Sequence, residues 1–355
     1  MDYLYLYSME KHNTTSFADV VTSHRKMKND FFNQVTLILD WQSIDKLIKK
    51  HYNKGKSAVG RESYSGLVLF KITLLQTWYG LSDYEVEDQI NDRISFSRFV
   101  GIPLDGDVPD HSVISRFRSE LCKKKAYEKL LTEINRQLEN HNILVRSGMI
   151  VDASITDSPR KPRGKKTYEA VEDRNEESGA PETKAIEKTQ THVDQDARWI
   201  IKNKKLRFGY KQHTAVDEQG LVLGLVTTSA NESDTSHLKD LLEKIELEPR
   251  ATVKADKGYK SLKNDELISK HKLRNRVMHK ASKGKPLTER EKLFNKEISK
   301  TRYKVERTFG SIHRWFNTGI ARYVGLEKMH AQHLIEAIAH NLYRAPGIAM
   351  SVCVK

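Results

Sequence analysis

Beyond residue 30, apolar residues recur at helical spacing for about a hundred positions. Phe32, Val35, Ile38 and Leu39, then Ile44, Leu47 and Ile48, each fall on one face of a 3.6-residue repeat. A denser run, Leu67 to Leu75, follows Ser65-Gly66 and stops near Gly80. Ser82 with Glu85 three residues on is a capping box, so another helix begins there. Ile94 to Val100 leads to the turn Gly101-Ile102-Pro103, and Pro109 with Asp110 or Ser112 starts a further helix. The pattern therefore predicts an all-α segment over 31–145, preceded by a polar, loosely built arm over 1–30.

The period changes at Gly148. Gly148-Met149-Ile150-Val151 is short, apolar and opened by glycine, the signature of a buried strand. Phe208 to Val216 and Leu221 to Thr228 flank the turn Asp217-Glu218-Gln219-Gly220 and read as a hairpin. A helix from Ser233 to about Leu247, a strand Ala251 to Ala255, a short helix Ser261 to Lys270 and a strand Leu273 to Val277 follow. A long helix is predicted over about Thr288 to Asn317, and a last one over Met329 to Tyr343. Between the first strand and the hairpin, 157–195 combines a basic proline-bearing run, Ser158 to Lys166, with an acidic Ser/Gly/Pro stretch. Such a composition buries no core and reads as a mobile insertion. Strand, hairpin, helix, strand, helix, strand, long helix is the order of an RNase H-like α/β domain: a mixed five-stranded sheet with flanking helices. The expected organisation is an arm (1–30), a helical domain (31–145), the α/β domain (146–325) and a C-terminal helix (326–355).

Charge sharpens this picture. The chain of 355 residues carries a formal net charge of +14, spread along its length rather than gathered in one tail. That excess favours a polyanionic partner. The helix after Pro109 would show Ser115, Arg116 and Arg118 on a polar face, so the helical segment reads as a helix-turn-helix-like DNA reader with Arg116 and Arg118 as contacts; an ordinary bundle with a solvated basic side is the alternative. No apolar run approaches 18 residues and no signal-peptide pattern opens the chain, so no membrane span is expected. Two cysteines, Cys122 and Cys353, match no zinc or disulfide spacing and fit a reducing cytoplasm.

The candidate chemistry is acidic. Asp152 ends the first strand and Asp256 ends the strand Ala251 to Ala255, both places where a carboxylate is costly unless it is used. Glu306 lies in the basic helical stretch Arg302-Tyr303-Lys304-Val305-Glu306-Arg307. Two strand-end aspartates and a helical glutamate are what a two-metal phosphoryl-transfer site requires, because hard divalent cations take carboxylate oxygens. In an RNase H-like domain these three would converge although 104 and then 50 residues separate them. Lys211 and His213 alternate on one strand face, where they could meet DNA, or His213 could be a satisfied core residue. Asp234 reads as a helix cap, and Trp199 and Trp315 as core.

At this point the residues resemble a family. Val151-Asp152-Ala153, Gly209-Tyr210-Lys211-Gln212-His213, Ala230-Asn231-Glu232-Ser233-Asp234, Ala255-Asp256-Lys257-Gly258-Tyr259 and Arg302-x-x-x-Glu306 before Phe309-Gly310 occur in the order seen in bacterial insertion-sequence transposases of the DDE type, insertion-sequence-five group. The resemblance runs from about Phe31 to Tyr343 and implies catalytic, metal-holding acids at Asp152, Asp256 and Glu306. It implies two Mg2+ ions, with Mn2+ as a substitute, and DNA contacts at Lys211, His213, Lys257, Tyr259, Arg302 and His313. Double-stranded DNA would be the partner, at transposon ends and target, in a homodimeric synaptic complex on the bacterial nucleoid. Related elements often carry Tyr three residues before the Arg and Lys seven after the Glu; here those places hold Ser299 and His313, which leaves the phosphate contact at His313 open. The competing expectations are a nuclease of the same fold that cuts without joining, and a non-catalytic transposase-derived DNA-binding protein.

Overall fold

The computed structural model describes residues 31–52, 63–163, 168–174, 181–187, 192–202, 204–282, 284–316 and 318–353. The arm expected over 1–30 and the side chain of Cys353 lie outside the described residues. Among the described residues, seven helices come first: α1 (Phe31–Ile38), α2 (Trp41–His51), α3 (Gly66–Tyr79), α4 (Asp83–Asp92), α5 (Ile94–Val100), α6 (His111–Lys123) and α7 (Ala126–Asn140). Their ends follow local chemistry. Gly80 takes φ +66 and closes α3, a conformation that penalises any side chain with a Cβ. Ser82 and Glu85 form the reciprocal capping box at α4. Asp110 accepts the amides of Ser112 and Val113 to start α6.

Then follow β1 (Gly148–Asp157), β2 (Tyr168–Arg174), β3 (Pro181–Glu187), β4 (Arg198–Lys202), β5 (Lys205–Val216) and β6 (Val222–Ser229). A 3-10 turn (Asp234–His237) leads into α8 (Leu238–Lys244), and β7 (Thr252–Ala255) comes next. A second 3-10 turn (Lys257–Tyr259), α9 (Leu262–Lys270), β8 (Arg274–Val277), α10 (Glu289–Phe316) and α11 (Leu326–Cys353) complete the chain. Strand β1 is antiparallel to β5 and parallel to β7; β5 is antiparallel to β6, and β7 is parallel to β8. The core order β6-β5-β1-β7-β8 is the RNase H-like order. All five expected strands are present, and a sixth, β4, pairs with the first half of β5.

Three local expectations give way to structure. The insertion expected to be a mobile loop carries an antiparallel ribbon, β2 with β3, whose backbone groups pair with one another. Strand β4 escapes the alternation rule because Trp199, Ile200 and Ile201 are consecutive apolar residues. Trp199 and Trp315, expected in the core, are 41% and 54% exposed.

One apolar cluster runs through the molecule. Phe70 and Leu74 of α3, Ile150 of β1, Val222 of β6, Val253 of β7, Phe316 of α10 and Ile338 of α11 all belong to it. Helix α11 is the shared wall, packing on β6, α7, α1 and α3. A buried amide knot ties these layers: Asn341 Nδ2 donates to Asn135 Oδ1 (2.9 Å) and to the Val222 carbonyl (2.8 Å), and Asn341 Oδ1 accepts the Val222 amide (2.7 Å).

Candidate active site

The register of two neighbouring strands brings the aspartates together. The last parallel pair of β1 and β7 is Val151 with Ala255, and the next residues are Asp152 and Asp256. Each carboxylate accepts the amide of the residue after it, Ala153 at 2.8 Å and Lys257 at 2.7 Å, which fixes its direction. Helix α10 packs across β1 and β7. It presents Arg302 and, one turn later, Glu306 on the same face.

Arg302 joins the three acids. Its Nη2 lies 2.6 Å from Asp152 Oδ2 and 3.6 Å from Glu306 Oε1, and its Nη1 lies 3.6 Å from Asp256 Oδ1. Burial alone would pull the guanidinium pKa down; the three carboxylates outweigh that and hold it above its ordinary value. Its Nε is buried without a partner. Exposure rises from Asp152 (19%) through Asp256 (34%) to Glu306 (60%), so the site opens at the glutamate.

The donor set suits hard divalent cations, being carboxylate oxygen throughout. Among the described residues no three acidic, histidine or cysteine side chains form a ready cage. The acids instead stand around Arg302, the cation they share.

The other expected site residues divide sharply. Lys257 is exposed directly beside Asp256. His313 sits two turns beyond Glu306, half-buried, with Nε2 3.4 Å from Ser154 Oγ on the same β1 face as Asp152. Arg116 is exposed on α6. Four expected DNA contacts are instead internal. Arg118 is turned inward, paired through both nitrogens with Asp83 and stacked on Tyr323. Lys211 is buried and donates to Asp234 Oδ1 (2.8 Å) and the Glu232 carbonyl (2.5 Å). His213 is fully buried between Tyr259 Oη (3.3 Å) and Thr228 Oγ1 (3.2 Å). Burial, with His237 beside it, drives the His213 pKa to about 3, so it is neutral. Tyr259 is itself buried, its phenol pushed well above the ordinary value by burial and then by Asp234. Lys211, His213 and Tyr259 support the Asp256 turn from beneath. Asp234 receives Lys211 rather than capping a helix, and Thr235 Oγ1 donates to the Gly258 carbonyl at 2.7 Å. Lys304, in the basic helical stretch that holds Glu306, is taken by Glu218 at 2.6 Å.

Asp256 follows the end of β7 as expected, but Asp152 lies within β1, which runs on to Asp157 because its pairing with β5 continues past the aspartate. An RNase H-like sheet with these two aspartates and a helical glutamate gathered around one arginine is the arrangement of a polynucleotidyl transferase. Comparison with known proteins makes the class specific. The family model for the transposase DDE domain matches residues 144–342, and a second transposase domain model (DUF772) matches residues 20–120. The transposase for insertion sequence element IS1106 of Neisseria meningitidis serogroup B is 39% identical over 234 residues, 65% of this chain and 76% of that one. The cryo-EM structure of the piggyBac transposase synaptic complex with hairpin DNA aligns with 92% of this chain and 74% of its own, at 9% identity and a TM-score of 0.44. The chain belongs to the DDE transposase family, whose domains depend on divalent metal. Among the described residues no helix is long and apolar enough to cross a membrane.

Proposed function

We propose that this transposase cuts DNA at the ends of its insertion sequence and joins the freed 3′-ends to target DNA, with Asp152, Asp256 and Glu306 as the catalytic acids. The observation that carries the reading is the single guanidinium within 3.6 Å of all three carboxylates. Asp152, the most enclosed, would hold two Mg2+ ions together with Asp256 and Glu306, with Mn2+ as a substitute. Bound there, the ions would lower the pKa of an attacking water or 3′-hydroxyl and stabilise the leaving oxygen. Arg302 would then give up part of its acid contacts and turn to the DNA phosphate. Lys257, next to Asp256, and His313, beside Ser154, would hold neighbouring phosphates, and Arg116 would contact DNA from α6. Action on the bacterial nucleoid, with two chains in a synaptic complex, completes the reading.

The test is cleavage and strand transfer with Mg2+ on a linear fragment bearing the element's ends. Asp256→Asn should lose on the order of 10³-fold in cutting rate, a few kcal/mol of transition-state stabilisation, with Tm and DNA retention unchanged. Undiminished cutting by that variant would sink the site assignment. Cutting by the unaltered protein with no joined product would favour the plain nuclease.

A further inference from the structure

The β4–β5 ribbon has two unlike faces. Its register pairs Trp199 with Phe208, Ile200 with Arg207, Ile201 with Leu206 and Lys202 with Lys205. Because side chains alternate, Trp199, Ile201, Leu206 and Phe208 share one face, and Ile200, Lys202, Lys205 and Arg207 share the other. Phe208 is buried at the root with the Trp199 ring 5.0 Å from its own. Towards the tip the apolar face is open: Trp199 is 41% exposed, Leu206 62% and Ile201 72%. Three large apolar groups left together in water are unfavourable for a folded chain and mark a surface that something else covers.

The basic face lies against the active-site strand. Lys202 Nζ donates to the carbonyl of Ala153 at 3.1 Å, the residue next to Asp152. Arg207 donates to the Ile155 carbonyl at 3.2 Å and pairs with Asp157 at 2.8 Å. The ribbon therefore crosses β1 just past the catalytic aspartate. One carbonyl uses one donor of an ammonium group, so Lys202 keeps two for an anion. Lys204 and Lys205 are exposed at the tip beside it.

We propose that this ribbon is a DNA wedge. Lys202 and Lys205 hold phosphates of the strand lying over Asp152, while Ile201 and Leu206, backed by Trp199, enter the base stack next to the cut. The occupant is duplex DNA because exposed Lys202, Lys204 and Lys205 adjoin the apolar tip and the Lys202 ammonium reaches the carbonyl next to Asp152, where the proposed reaction places a phosphate; apolar side chains flanked by cations are how proteins open base steps. The inference rests on the transposase reading above and adds a second point of DNA engagement to it.

The test uses the full chain and a duplex bearing the element's end, with 2-aminopurine at the base beside the cleavage point and no divalent ion. Binding of the unaltered protein should raise the fluorescence several-fold as the base unstacks. Ile201→Ser with Leu206→Ser should bind with Kd within about 3-fold yet leave the signal flat, and Ile201→Leu with Leu206→Met should restore it. Lys202→Gln with Lys205→Gln should lower the slope of log Kd against log salt by about 2, roughly 0.9 for each phosphate no longer neutralised. An equal rise in the serine variant overturns the wedge, as does no rise with the unaltered protein. So does a serine variant whose only change is its sedimentation mass, which would make the apolar face a contact between copies. If these ribbon variants match the unaltered protein while Asp256→Asn abolishes cutting, the wedge alone falls. If Asp256→Asn still cuts, the site reading falls.

Discussion

Glu336 shows how a single residue sets the behaviour of this molecule with pH. It sits on α11, 5% exposed, receiving the Gln332 amide at 2.8 Å. Burial pushes its pKa up from 4.5 to about 7. A carboxyl raised in the folded state is protonated there while the unfolded chain is already ionised. Stability contributed by this group is therefore intact below pH 4.5 and declines as pH climbs towards 7, by about 3 kcal/mol in all. Glu336→Gln should flatten that decline and give the higher Tm at pH 8, read by thermal melts across pH 5 to 8. A variant with an unchanged slope would show that the side chain ionises freely. The same scale explains which site residues are legible in the sequence. Asp152 and Asp256 stand out because a carboxylate straight after an apolar strand run is costly without a purpose, although β1 itself continues past Asp152 to Asp157. Arg118, Lys211, His213 and Tyr259 do not reveal their internal partners, since a pattern gives the side of an element but not what covers it. Asp83 meets Arg118 across 35 residues, and Asp234 meets Lys211 across 23.

At the scale of elements, the register between β1 and β5 controls the site. Gly209 faces Asp157 in that pairing, and a Cβ on it would stand 2.0 Å from the Thr156 carbonyl oxygen. Backbone cannot yield that distance without breaking the ladder. Gly209→Ala should cost about 3 kcal/mol, the upper range for overpacking, measured as a shift of the urea midpoint. A cost below about 1 kcal/mol would mean that the strands separate easily there. The glycine is visible in the run from Gly209 to His213, but its purpose is not, because close approach of two backbones leaves no trace in periodicity. The strands and helices themselves are largely legible. The long helix expected over Thr288 to Asn317 is α10, Glu289–Phe316, with Thr288 and Glu291 capping it reciprocally. Periodicity does not reveal β4, where Trp199, Ile200 and Ile201 run together, or the β2–β3 ribbon within the insertion.

At the scale of the whole molecule, the helices of residues 31–140 and the sheet share one apolar cluster, cross-linked by Asn135 and Asn341. Asn341→Ala would strand the Val222 amide and the Asn135 oxygen in the interior, at about 1–3 kcal/mol for each. We expect a single, earlier unfolding transition for that variant by calorimetry and circular dichroism, with helix and sheet signals lost together. Two separated transitions would mean that the layers melt on their own. The position of α11 has a genetic consequence. A nonsense mutation just before Leu326 spares all three proposed catalytic acids, yet it strips away the surface on which β6, α1, α3 and α7 close. Such a shortened product should clump and be degraded rather than linger as a DNA-bound poison of intact copies.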